Sequence, residues 1–151
     1  MIESHLDQDT KLWNFPVAPL REQGIRPVVC GINTLCRAVE FTDFVRDVDL
    51  QADVTARVFR GADHSAIAVW SNTSLRSSTT PEGKYVLRAP LNARDVEILD
   101  MMGRTLKSRN GSREIAVPFD GCPAYIVSRN LSGEQLCAAL EKGRITAQAR
   151  E

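Results

Sequence analysis

The chain has 151 residues, 43% of them hydrophobic and 25% charged, a balance that suits one globular domain and excludes a low-complexity polypeptide. A domain of this length buries about 70% of the surface its unfolded chain exposes, so it can fold without disulfide or metal staples. Nineteen basic and nineteen acidic residues cancel, which leaves no long-range field to draw nucleic acid or an anionic membrane and argues against both as partners.

Residues 1–26 read as an irregular arm. Pro16 and Pro19 interrupt any regular period, and Trp13 and Phe15 supply its large apolar rings, which could pin it to the body. Met1 to Lys11 holds three acidic residues and no apolar core, unlike a secretory signal, and no run approaches the roughly 20 apolar residues of a membrane span. At Pro27 a helix can begin, because proline at the first helical position gives up only an amide that would be unpaired there. Val28, Ile32, Leu35 and Val39 then recur at steps of four, three and four, so the spacing predicts a helix to about Glu40 with one apolar face that must lie on something.

From Asp53 the period becomes two. Val54, Ala56 and Val58 alternate with Thr55, Arg57 and Phe59, and Gly61-Ala62-Asp63-His64 predicts a hairpin turn into Ala66–Ser71. That second strand is apolar on both faces and belongs in the middle of a sheet. Asn72–Gly83 reads as a long surface loop. Four more strands are expected at Lys84–Ala89, Arg94–Leu99, Ser112–Pro118 and Ala124–Ser128. Between them lie a type I turn at Asp100–Gly103 and a hairpin signal at Asn110-Gly111. Ser132 and Gln135 have capping-box spacing, and Leu136, Ala139 and Leu140 give a second short helix before Gly143. Residues 144–151 read as a frayed tail.

Motifs that could carry chemistry each have a simpler structural explanation. Asp43, Asp47, Asp49 and Asp53 lack the spacing of a calcium loop and fit a solvated strand face, with Val48 and Leu50 alternating toward a core. Asp100 fits a turn initiator. A triad would need His5 or His64, and neither has a neighbouring nucleophile in sequence. Cys30, Cys36, Cys122 and Cys137 form no zinc pattern and are expected to be small buried thiols, with a Cys122–Cys137 disulfide left open. Neither a metal nor a cofactor is expected.

In order along the chain, Val58-Phe59, Val69-Trp70-Ser71, Asp100 through Gly103 and Pro123-Ala124-Tyr125 resemble the β-sandwich that closes many barrel-type glycoside hydrolases. The helix from Pro27, with Gly31-Ile32-Asn33-Thr34-Leu35, is similar to their lead-in from the barrel. The likeness covers about residues 27–128. A barrel needs about 250 residues, so no catalytic carboxylate of that family has a counterpart here. The resemblance implies a non-catalytic accessory domain of a bacterial hydrolase.

The expected fold is mainly β: an antiparallel β-sandwich over residues 27–143 with a short N-terminal helix and a short C-terminal helix. The expected role is packing against a catalytic barrel domain or another protein subunit, or self-association as a homodimer, through residues 27–40 and the arm before them. The alternative is a free-standing carbohydrate-binding module, for which Trp13 and Tyr85 are the stacking platforms.

Overall fold

The computed structural model describes residues 27–51, 53–72, 85–107 and 113–147. The elements run α1 (Pro27–Val39), β1 (Thr42–Gln51), β2 (Val54–Gly61), β3 (Ser65–Ser71), β4 (Tyr85–Ala89), β5 (Glu97–Leu99), β6 (Ile115–Phe119), β7 (Ala124–Ser128), α2 (Gly133–Glu141) and β8 (Arg144–Ala147). The fold is mainly β, with two antiparallel sheets and two helices in a sandwich-like arrangement. One sheet has five strands in the order β1-β2-β3-β7-β5, and the other has three in the order β6-β4-β8.

β3 is central because its sequence is apolar on both faces, and six of its seven residues are buried. Across the five-stranded sheet, Val58 pairs with Ile67, Ile67 with Ile126, and Ile126 with Ile98. Paired residues share a face, so this row forms one continuous inner surface. It meets Leu87, Ile115 and Val117 of the small sheet, and Leu136 and Leu140 of α2, in a single buried cluster. α2 has the expected capping box: Gln135 N donates to Ser132 Oγ at 3.3 Å and Ser132 N donates to Gln135 Oε1 at 2.8 Å. The outer face carries the opposite set of side chains. Ala68, Leu99 and Tyr125 there form a second cluster with Ala38 of α1. α1 therefore lies on one side of the large sheet, with α2 and the small sheet on the other.

Three expectations need correction. Residues 144–147 are not a frayed tail but strand β8, paired to β4 with Ile145 opposite Leu87. The solvated strand face expected around Asp43–Asp53 is present as β1 at residues 42–51, with Val48 turned to the core, though register shifts between Phe44 and Arg46 and between Asp49 and Gln51 break its alternation. Arg94–Val96 is turn rather than strand, and β5 is only Glu97–Leu99. The cysteines are all free thiols, and Cys36 and Cys122 are exposed, so only Cys137 fits the expected buried thiol. The arm, the loop at 73–83 and the Asn110-Gly111 turn lie outside the described residues.

Candidate docking surface

α1 sits on the sheet through its small residues. Thr34 and Ala38 are buried, whereas Ile32 and Leu35, two members of the expected apolar face, are 47% and 44% exposed. The sequence stripe is real, but the side of the helix turned to the sheet is its neighbour. Successive residues advance by 100°, so Arg37 lies on one flank of the Thr34–Ala38 contact line and Leu35, Val39 and Ile32 lie on the other. Arg37 reaches Glu97 of β5 through two hydrogen bonds of 3.0 and 3.1 Å. β5 is an edge of the sheet, so the apolar flank faces the other way and overlooks β3, β2 and β1.

Three tethers hold the end of α1. Four carbonyls at a helix C-terminus lack intrahelical partners; here Cys36 O accepts from Glu40 N at 2.7 Å, Ala38 O from His64 Nε2 at 3.1 Å, and Val39 O from Thr42 Oγ1 at 2.6 Å. His64 is thus a fastening between the β2–β3 turn and the helix. Phe41, in the connection to β1, has φ +57° and is 90% exposed. That conformation costs a bulky L-residue about 1–2 kcal/mol, and its ring recovers nothing in the core. A Cβ on Gly61 would stand 2.7 Å from Phe41 O, so only glycine lets the hairpin approach this turn.

β1 adds Phe44 at 56% and Val45 at 37% exposure. Phe44 pairs with Phe59 of β2, and the rings meet edge to face at 6.0 Å. On the same outer face, the Arg57 guanidinium lies 5.6 Å from the Trp70 ring centre and bonds Asp47 at 3.2 Å. Trp70 is half-buried and packs against the outer cluster. Among the described residues, every large hydrophobic side chain left exposed lies between Ile32 and Val45. Phe41, Phe44 and Val45 escaped the sequence reading; their signal was three large apolar residues in a segment where Asp43, Arg46 and Asp47 otherwise mark a solvated strand.

The other sites considered from sequence lie elsewhere. Tyr85, half-buried in β4, stacks its ring on Phe119 at 5.6 Å and 22°, so one ring face is already occupied. Trp13 lies outside the described residues. Asp100 is a turn former: Oδ1 accepts from Met102 N and Arg104 N at 2.9 Å each, and Oδ2 accepts from Arg104 Nε at 2.6 Å. It borders an open cleft of about 390 Å³ whose lining includes Met101, Met102, Phe119 and Cys122. Among the described residues no three His, Cys, Asp or Glu side chains converge as metal ligands. No described helix is long and apolar enough to cross a membrane. Burial pushes the Tyr125 phenol up from its ordinary value, and burial likewise pushes the Cys137 thiol up against the opposing pull of Arg46.

Comparison of the chain with protein-family models, with curated proteins and with solved structures finds no match in any of the three.

Proposed function

We propose that this chain is a non-catalytic packing domain whose α1–β1 face meets another protein surface: a catalytic barrel domain, a different subunit or a second copy. The observation that carries the proposal is the collection of exposed apolar side chains between Ile32 and Val45, including a phenylalanine held at positive φ with its ring in solvent. Large apolar side chains left in solvent within one short segment favour a docking site, and backbone strain that gives no return in the core belongs to a site used for something else. The likeness to the sandwich of glycoside hydrolases enters only as the kind of partner. The residues that carry that likeness lie in or next to β2, β3, β5 and β7, strands of the sheet on which α1 rests.

The test is sedimentation velocity of the full chain over rising concentration, alongside Leu35→Asp and Phe44→Ser. Concentration-dependent association weakened by both substitutions supports a docking face. Saturable binding to an oligosaccharide panel, unaffected by either substitution, would overturn it in favour of a carbohydrate-binding module.

A further inference from the structure

β1 is an edge of the five-stranded sheet, and with ten residues it is the longest edge strand of the two sheets; β5, β6 and β8 have three, five and four. An edge presents a row of backbone N–H and C=O groups that a further strand can pair. Among the described residues no strand takes that place, and Asp43 through Asp47 are all exposed. Charges and bulges normally blunt such an edge against strangers, and β1 carries both. Its charges, however, have both signs, and the bulge decides which face they share.

The faces of β1 follow from its partners on β2. Asp43 lies opposite Arg60 and Arg46 opposite Val58, and these two β2 residues, two apart, share the face toward α2. In keeping with that, Arg60 bonds Glu134 of α2 and Arg46 bonds Glu141. Residues three apart in a regular strand point to opposite faces. The extra residue between Phe44 and Arg46 brings Asp43 and Arg46 to the same one. Thr42, Phe44 and Asp47 lie opposite Gly61, Phe59 and Arg57, on the face toward α1.

We infer that β1 pairs edge to edge, antiparallel, with β1 of a second copy of this chain, about a two-fold axis that passes between Phe44 and Val45. The inference rests on the reading of the α1–β1 face as a docking surface, and it names the partner and the register. Asp43 then faces the second copy's Arg46, and Arg46 faces its Asp43, so both ion pairs form on the α2 face. Thr42 faces Asp47 on the α1 face. Phe44 and Val45, 56% and 37% exposed in the single chain, face each other twice at the axis. A register slipped by two residues sets Asp43 against Val48 and Phe44 against Asp47, and loses both the charge and the apolar match. An isologous interface requires one patch to complement itself, and this segment does. Arg46 keeps its bond to Glu141, because the guanidinium has further N–H donors to offer a second carboxylate.

A charge exchange in the full chain tests the register. Asp43→Arg sets arginine against arginine in a homodimer, and Arg46→Asp sets aspartate against aspartate, so each should weaken self-association about tenfold in sedimentation velocity. An equimolar mixture of the two variants restores opposite charges at both positions and should associate as strongly as the native chain. Amide exchange gives a second test that needs no substitution: in the native chain it should slow severalfold from Asp43 to Asp47 as concentration rises. A mixture as weak as either variant, or β1 exchange that ignores concentration while the chain associates, would overturn the edge pairing; weakening by Leu35→Asp would then leave the docking face standing. A native chain that stays monomeric at all concentrations would also overturn it and leave the face to a different protein. Association that neither charge variant, nor Leu35→Asp, nor Phe44→Ser alters would sink both readings.

Discussion

The hydroxyl of Thr34 lies 2.9 Å from the point where a Cβ would stand on Gly103, and Gly103 has φ +79°. One residue thus meets two requirements of the seat of α1. The turn that begins at Asp100 needs a left-handed residue, and the helix needs room to come down on that turn. Thr34 Oγ1 is held in place, since it donates to Cys30 O at 2.9 Å.

Gly103→Ala should therefore destabilise the fold by about 1–3 kcal/mol, from backbone strain together with the contact. Thr34→Ala in the Gly103→Ala background should recover the contact part but not the strain, a non-additivity that a double-mutant cycle in urea would read. Full additivity would mean that helix and turn do not touch there.

His64 fastens the other end of the helix. Ala38 is fully buried, so removing the ring leaves its carbonyl without the partner it has, at a cost of about 1–3 kcal/mol. His64→Ala should lower the urea midpoint accordingly and speed amide exchange in α1 before it affects β3 or β7. Uniform exchange throughout the chain would show the contact to be incidental.

Phe41→Gly separates stability from docking. Relief of the positive φ favours the variant, while glycine's extra freedom in the unfolded chain opposes it, so stability should hold or rise by up to about 1 kcal/mol. Self-association should weaken in the same variant. A loss of more than about 1 kcal/mol in urea unfolding would instead make Phe41 a fastening of the fold.

What could be read in the sequence was what local pattern controls. β3 was legible because apolar residues on both faces leave no position but a sheet interior, and α2 because Ser132 and Gln135 cap it with their own side chains. β8 was hidden: of Arg144–Ala147 only Ile145 carries a large apolar side chain, and the strand exists because β4 presents Leu87 opposite it. β1 was legible as a solvated strand face around its aspartates, but its bulges shift the period at Val45 and Leu50 and hid its bounds and its exposed apolar residues. For α1 the stripe was plain but the packing side was not. Thr34 seats against Gly103 and Ala38 packs among Ala68, Leu99 and Tyr125, so these small residues go down and Ile32 and Leu35 stay out. That tertiary choice left Ile32 and Leu35 in solvent, and no helical period could announce it.

Cys137 gives a prediction with a definite sign. It is 2% exposed in α2, and burial raises its pKa above the ordinary thiol value. Below that value both folded and unfolded states keep the proton, and the contribution to stability is fully present. As pH rises past about 8.5, the unfolded chain releases its proton first, so stability falls until the raised folded-state value is passed. The urea midpoint should therefore drop between pH 8 and pH 10. Cys137→Ala should begin lower, having lost buried volume, yet fall less steeply over the same range. Tyr125, raised by burial too, should add a second decline above about pH 10. In the native protein at neutral pH a thiol reagent should label Cys36 and Cys122 first, because both are exposed. Cys137 should react only through opening of α2. A slope identical in Cys137→Ala and the native chain would show that this thiol is not the group that titrates.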